Sequence, residues 1–529
     1  MRNQLLHKNV EQAAAACPDQ EAVRCGNHSL SYAELNDRSS RFAAALIDMG
    51  VRPGDRVGIS LPPGIESPVS VYGVLKAGAV FVAIDPHSPV QRTCEVLRAA
   101  EIRHLVTNRL SAESFEHLRN NSPLKHVIGE NSFDVSILNA VTWDSIESYS
   151  TMIPVTNIQS DAPAYIIFTS GSTGSPKGIV HTHFSGQSYA RLSAKTYNVV
   201  AEDRIANASP LHFDMSTFGY FTAPFARATT VFVPDAYLKM PASLSQLLQA
   251  ERISIWYSVP FLLIQLLERG VLDQRDLSDL RWVLFGGEPF SQKHVRQLMD
   301  ILPKARFSNV YGPAEVNQCT FFHVPRERDS AVNSDDAVPI GSEWDETEAI
   351  IDESRFTDES NNTGELLIHS TTMMQRYLNA SADDTETFHI TEDGKRFYRT
   401  GDLVRRNVDG TMTFVGRKDR QVKVRGYRIE LDEIEHVLTC HPDVIEAAVF
   451  CGTAADQESD VSIRAAVRVS SPEVNEDRLR NWLTKKLPSY AIPETIDTCD
   501  SFPRTTSGKV NRRQLQTNPS NIESLSGRT

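Results

Sequence analysis

Residues 165–178 read Tyr-Ile-Ile-Phe-Thr-Ser-Gly-Ser-Thr-Gly-Ser-Pro-Lys-Gly. An apolar run of strand length breaks into Thr169, Ser170, Gly171, Ser172, Thr173 and Gly174, then Lys177. Small residues let a backbone fold tightly around an anion and aim its N–H groups inward. The hydroxyls add donors, and Lys177 adds a point charge suited to phosphate. This is chemistry for a nucleoside triphosphate. Lys177 is followed by Gly178 rather than Ser or Thr, so the P-loop pattern and its fold do not follow. Composition alone would favour a flexible Ser/Gly/Thr loop. The flanking strand, the Pro-Lys-Gly ending and nearby His181 and His183 favour the phosphate reading.

Three further stretches carry chemistry. Tyr398-Arg-Thr-Gly-Asp402 sets a carboxylate after a glycine turn, able to accept from two vicinal hydroxyls; alone it is a common turn. Arg417, Lys418, Arg420, Lys423, Arg425 and Arg428 fall within twelve positions, followed by the acidic, helical Glu430–Glu435. A solvated charge run is the plain alternative, but the Val422/Val424 alternation inside it has the period of a strand. Finally, Lys509 follows Ser507-Gly508 near the end. On a mobile segment, such a lysine can enter a cleft and face developing negative charge; alone it would be a basic surface tail.

These residues need a scaffold. A chain of 529 residues exceeds one compact core, so two or more domains are expected. A formal charge of −13 argues against a general nucleic-acid binder and requires any phosphate site to be a local positive pocket. Seven cysteines without a C-x-x-C fit a reducing cytosol rather than a disulfide framework or zinc site. The first twenty residues read as an amphipathic helix and not a signal peptide, and no apolar run approaches membrane-span length.

Strand and helix patterns alternate over 1–150 and again over 155–330. Strands are expected at Arg56–Leu61, Ala79–Ile84, Thr230–Val233, Ile253–Ser258 and Arg281–Phe285, with helices opening at Ser31 and covering Val71–Ala77 and Leu244–Arg252. The stretch from Asn309 to Glu315 reads as a loop after a short strand. Such alternation predicts α/β architecture: mainly parallel sheets with helices on their faces and loops converging at the carboxyl ends of strands. Dense turns over 331–418 predict a small antiparallel or barrel-like unit. Residues 419–514 return to α+β, and 515–529 read as a disordered tail.

Taken in order, Leu75-Lys-Ala-Gly78, the phosphate loop, His212-Phe-Asp-Met-Ser216, Asn309-Val-Tyr-Gly-Pro-Ala-Glu315, Gly364-Glu-Leu366, Tyr398–Asp402, Gly416–Glu435, Leu487–Pro493 and Ser507–Lys509 resemble the successive core motifs of amino-acid adenylation domains. Those belong to the adenylate-forming superfamily, with acyl-CoA synthetases and firefly luciferase. The resemblance implies a large domain over 1–418 and a small mobile domain from Asp419, the position of the family's hinge. It implies ATP and Mg²⁺, an acyl-adenylate with release of pyrophosphate, then transfer of the acyl group to a thiol. By the same resemblance, Thr169–Gly174 and Lys177 hold phosphates, Gly287, Glu288, Asn309, Tyr311 and Gly312 surround the nucleotide, Asp402 and Arg417 hold the ribose, Glu315 holds Mg²⁺, and Lys509 bridges carboxylate and α-phosphate. Two departures stand out. Ala314 replaces the usual Thr before the magnesium glutamate, and Ser370 replaces a Gly.

Asp214 occupies the family position that pairs with a substrate α-ammonium; an aspartate there also suits a helix N-cap. The resemblance places Met215, Phe218, Tyr257, Leu284, Gly286, Val310, Gln318 and Cys319 around the side-chain pocket. The set is mostly apolar and carries no charge, as for a compact apolar amino acid. Asp214, Tyr257, Leu284 and Cys319 resemble the pocket of free-standing L-prolyl adenylating enzymes, so L-proline is the first expectation, with alanine or glycine next. No carrier-protein segment follows Lys509, so a separate phosphopantetheinylated carrier protein is the expected acceptor, in the cytoplasm. The rivals are an acyl-CoA synthetase using CoA, disfavoured by Asp214, and a silent nucleotide-binding scaffold, disfavoured by Lys177, Glu315, Asp402 and Lys509 all being present.

Overall fold

The computed structural model describes residues 4–517 apart from 109, 130–139, 153–156, 170–175, 328–335, 354–361, 381–384, 455–456, 472, 500, 505–509 and 511. The large domain is built on two mainly parallel sheets. One has eight strands, and its parallel part runs through Pro163–Thr169, Val80–Ala83, Arg56–Ser60, His104–Thr107, His126–Gly129 and Ala140–Thr142; Lys177–Thr182 and Arg376–Tyr377 close one edge antiparallel. The other has nine strands, with Arg306–Tyr311, Trp282–Gly286, Ile255–Ser258, Arg204–Asn207, Thr229–Phe232 and Glu21–Cys25 parallel at its centre.

The central strands are short apolar runs, as sheets covered on both faces require. In Trp282–Gly286, the period of two sends Trp282 and Leu284 to one face, against Tyr189 and Leu192 of the helix His183–Thr196. Val283 and Phe285 point to the other, against Leu298 and Met299 of the helix Gln292–Ile301. The helix Tyr32–Asp48 starts as its sequence predicts: Ser31 accepts from the Glu34 N–H at 3.2 Å and Glu34 accepts from the Ser31 N–H at 2.8 Å, a complete capping box. The helix expected at Val71 begins earlier, at Glu66. Pro68 falls in its first turn, where no intrahelical donor is lost.

The predicted β-rich part is a five-stranded antiparallel sheet whose described pairing forms an open path: Thr347–Asp352, Thr363–Ser370, Arg396–Arg406 and Phe388–Ile390, with Met412–Arg417 on the long strand. Its core residues Leu366, Tyr398 and Val404 cluster with Tyr311, Val316 and Cys319. That contact sets Asp402 beside the end of the strand Arg306–Tyr311.

The small domain carries a hairpin, Gln421–Val424 with Tyr427–Glu430, then the helix Leu431–Thr439 and a three-stranded sheet. Two expectations need correction. Asn309, Val310 and Tyr311 lie on a strand rather than in a loop, because antiparallel pairing with Thr320–Val324 extends it. The tail is not disordered from 515: the helix Arg512–Thr517 buries Leu515 against Ala448, Phe450 and Cys499.

Candidate active site

The carboxyl ends of both sheets open into one cavity of about 370 Å³. Its walls come from Ile84 and Asp85, Ile167–Thr169, Asp214 and Met215, Tyr257 and Ser258, Gly287, Val310, Gly312–Ala314, Asp402 and Arg417, and, from the small domain, Lys423 and Arg425–Arg428. This is where open α/β sheets place ligands. Thr169 ends its strand at the wall. Lys177 starts the antiparallel return strand, with Nζ 5.8 Å above the Tyr377 ring. Ser170, Gly171, Ser172, Thr173, Gly174 and Lys509 lie outside the described residues. Arg504 and Val510, flanking the Lys509 segment, pair as an antiparallel bridge.

Asp214 opens a short 3₁₀ turn, and its Oδ1 accepts from the Met215 N–H at 2.9 Å. Burial pushes its carboxyl up to about 6, opposed by the charges of Lys423 and Arg428 and reinforced by Glu315. A carboxylate in that setting favours any cation that reaches it. Met215, Tyr257 and Val310 line the cavity beside it. Phe218 and Leu284 lie behind as an apolar floor: the Phe218 and Tyr257 rings meet edge to face at 5.8 Å, and both residues cluster with Leu284, Val310 and Trp282.

Three other expected pocket residues sit outside the cavity wall. A Cβ on Gly286 would come 2.2 Å from the Val310 carbonyl oxygen, so the close pairing of two strands explains that glycine. Gln318 is buried, and its Nε2 donates to the Tyr197 hydroxyl at 2.7 Å. Cys319 faces the five-stranded sheet, its thiol 3.5 Å from the Tyr311 carbonyl and its ionisation suppressed by burial.

At the other end of the cavity, Tyr311 donates to Asp402 at 2.5 Å, and Arg417 pairs with the second Asp402 oxygen. Asn309 lies deeper, donating its amide to the carbonyls of Val338 at 3.2 Å and Pro339 at 2.9 Å.

Glu315 is fully buried. Burial alone would raise its carboxyl, but Arg428 and the Tyr377 hydroxyl hold it down to about 2. Arg428 Nη1 stands 2.9 and 2.8 Å from the two oxygens, and Tyr377 donates to Oε1 at 2.7 Å. Among the described residues no cluster of His, Cys, Asp and Glu could cage an ion unaided. A single charged carboxylate beside a polyphosphate-sized cavity nevertheless fits Mg²⁺, which takes one or two carboxylates and completes its shell with phosphate and water. The carbonyl of Ala314 accepts from His181 Nε2 at 2.9 Å, and burial keeps that imidazole neutral, near 4. His181 thus braces the turn that carries Glu315.

The hairpin of the small domain forms the remaining wall. Glu288 accepts from the Gly426 N–H. Gly426 has φ +83°, and a Cβ there would lie 2.5 Å from Val259 Cγ1. Tyr427 meets Phe213 edge to face at 5.2 Å and stacks on Tyr490 at 4.0 Å. Arg92 pairs with Glu433 at 2.9 Å. The basic block is therefore not a solvated run: Arg417, Arg420 and Arg428 each meet carboxylates. Lys423, Arg428 and Tyr377 are functional candidates that motif reading missed as individuals. The first two lay unresolved in the basic block; Tyr377 carried no local signal.

The chain belongs to the AMP-binding enzyme family: the model of the AMP-binding enzyme matches residues 10–378 and that of the AMP-binding enzyme C-terminal domain matches 433–509. It is an adenylate-forming enzyme of the adenylation-domain type. An L-proline–[L-prolyl-carrier protein] ligase of Pseudomonas fluorescens is 32% identical over 517 residues, covering 97% of this chain and 98% of that protein. Surfactin synthase subunit 1 of Bacillus subtilis is also 32% identical over 517 residues, but these make up only 14% of it. The fold matches an artificially fused adenylation–PCP di-domain from Klebsiella oxytoca with a TM-score of 0.77 at 22% identity, over 94% of each chain. No described helix is long and apolar enough to cross a membrane.

Proposed function

We propose that the chain activates a small apolar amino acid, L-proline first, as its adenylate and passes it to the phosphopantetheine thiol of a separate carrier protein. The observation that carries this reading is Asp214: a carboxylate in the cavity wall beside Met215, Tyr257 and Val310, with Phe218 and Leu284 packed behind them. That pairing of one anion with apolar surface suits an α-ammonium on a compact side chain and gives a simple fatty or aryl acid no partner for Asp214. The prolyl ligase relative, similar along its whole length, supports the same substrate class.

In this reading Thr169, the loop after it and Lys177 bind the β- and γ-phosphates, Tyr311 and Gly312 border the base, and Asp402 with Arg417 holds the ribose. Glu315 would hold Mg²⁺, which would supply positive charge to the phosphates; the substrate carboxylate attacks the α-phosphorus, and the bond to pyrophosphate breaks as pyrophosphate leaves. Bringing two anions together is the main obstacle, so fixed cations and positioning supply most of the rate. Lys509 contributes one such cation. The small domain then turns about Asp419 for the thiol step.

The test is ATP–pyrophosphate exchange with a panel of amino acids, followed by loading of CoA against a phosphopantetheinylated carrier. Exchange with proline or another small apolar amino acid is expected. Exchange only with acids that lack an α-ammonium, or CoA loading in preference to carrier loading, would replace the reading with an acyl-CoA synthetase.

A further inference from the structure

Glu435, on the helix Leu431–Thr439, is not among the residues that line the cavity, yet it gathers more donors than one carboxylate needs. Arg420 brings two nitrogens to its two oxygens at 2.9 Å each, and Arg512 brings two more at 3.0 and 2.9 Å. The Val449 N–H donates to Oε1 at 2.7 Å. Burial would raise this carboxyl, but the two guanidiniums and that N–H hold it below the usual range. The two arginines come from opposite ends of the small domain. Arg420 follows the proposed pivot Asp419 and has a second carboxylate in Asp432. Arg512 lies three positions beyond Lys509 and, among the described residues, pairs with no other carboxylate. On the near side of the same segment, Arg504 donates to Glu446 at 2.6 Å. The helix Arg512–Thr517 has six residues, too few to stand alone, so buried Leu515 and the Arg512–Glu435 fork must hold it in place. Three residues of chain span at most about 10 Å, so the place where Arg512 is held bounds where Lys509 can reach.

We propose that Glu435 is a positioning residue for adenylate formation alone: it anchors Arg512, and through Arg512 the segment that carries Lys509. The inference rests on the proposed role of Lys509 as the cation of the first half-reaction. Glu435 touches no reactant. Arg420 and Val449 fix the carboxylate from the other side, so it cannot follow Arg512 and acts as a rigid anchor. Glu435, Arg420 and Arg512 all belong to the small domain, so the cluster travels with it and serves whichever arrangement brings Lys509 to the cavity. Two bidentate forks on one carboxylate fix direction as well as distance, which a lone lysine contact would not do.

The experiment is a double-mutant cycle read on the two half-reactions separately. Single-turnover adenylate formation, and transfer from a chemically supplied aminoacyl-adenylate, are measured in the full-length chain for Glu435→Gln, Arg512→Ala and Arg512→Lys, each alone and combined with Lys509→Ala. Glu435→Gln and Arg512→Ala should each slow adenylate formation by about tenfold to a hundredfold, the usual effect of displacing a reacting group slightly. Transfer should keep its wild-type rate in both. Arg512→Lys keeps the charge but loses the fork, so its adenylation rate should fall between wild type and Arg512→Ala. In the Lys509→Ala background the same substitutions should change adenylation by no more than about twofold, because the group they position is gone. A merely structural role would slow both steps and would persist without Lys509. Losses that add to that of Lys509→Ala, losses shared by both steps, or full rates in Glu435→Gln and Arg512→Ala would overturn the proposal. A Lys509→Ala protein with undiminished adenylation would refute the reading of Lys509 itself, and this inference with it.

Discussion

The fork of Arg417 closes on Asp419, Nε to Oδ1 and Nη2 to Oδ2 at 2.7 Å each, while its remaining nitrogen meets Asp402 in the cavity. Burial would raise the Asp419 carboxyl, and the guanidinium holds it below the usual range. One side chain therefore couples the proposed ribose site to the proposed pivot. Asp419→Pro fixes φ at that pivot and stiffens it. Adenylate formation is expected to survive and carrier loading to fail. Equal loss of both steps in separate assays would argue against a pivot at Asp419.

Lys509→Ala should slow adenylate formation by a few hundredfold, because a preorganised cation facing developing phosphate charge is worth about 3–4 kcal/mol. Transfer from a chemically supplied aminoacyl-adenylate should be nearly unchanged. A mutant impaired alike in both steps would exclude a role confined to the first.

Asp214 links pH to binding. With its carboxyl at about 6, it is charged above that pH and neutral below. Amino-acid affinity should therefore be flat above pH 6 and weaken by about tenfold per unit below it. Stability runs the opposite way. Because the folded-state value is raised, the stabilising contribution is complete below the unfolded carboxylate value and is lost as pH rises through about 6. Asp214→Asn should melt higher than wild type at pH 8, by about 1–3 kcal/mol, yet show no amino-acid-dependent exchange. An unchanged apparent affinity in this mutant would remove Asp214 from the ammonium site.

Leu284→Ala opens the apolar floor. The loss of a buried leucine should cost about 2–5 kcal/mol in denaturant unfolding. Where the protein still folds, exchange should shift toward larger apolar amino acids. An unaltered substrate profile would show that Leu284 only supports the sheet.

Ala314 and Thr169 both line the cavity. Restoring a hydroxyl by Ala314→Thr should raise the rate of adenylate formation up to about tenfold, the worth of one net hydrogen bond. An unchanged rate would mean that a neighbouring donor already serves the phosphate.

The scaffold was largely legible in the sequence. Short apolar runs such as Trp282–Phe285 could only be covered strands, and Ser31 with Glu34 announced a helix start. Asp214 and Glu315 stand out in the sequence because fixed motifs surround them; the structure sets Asp214 in the cavity wall and buries Glu315. What escaped was set by tertiary contact. Gln318 and Cys319 follow a turn whose direction no local pattern encodes, and they lie outside the cavity wall, against Tyr197 and Tyr311. Tyr377 reaches Glu315 only because its two-residue strand joins the edge at Ile179. The basic block could be recognised as unusual, but which of its charges meets which carboxylate depends on how two domains come together. Leu515 looked like part of a polar tail because a single apolar residue gives no periodicity.

Gly426 carries one more consequence. Its missing side chain is the whole clearance between the hairpin and Val259, and its φ of +83° disfavours any L-residue independently of that contact. A single methyl group there acts as a wedge at the seam where the hairpin closes the cavity. Alanine at this position would tilt the balance between seated and unseated hairpin while leaving every charge in the cavity intact. The seam could thus be graded by side-chain volume, giving a series of proteins with identical chemistry and stepwise differences in how long the small domain stays in place.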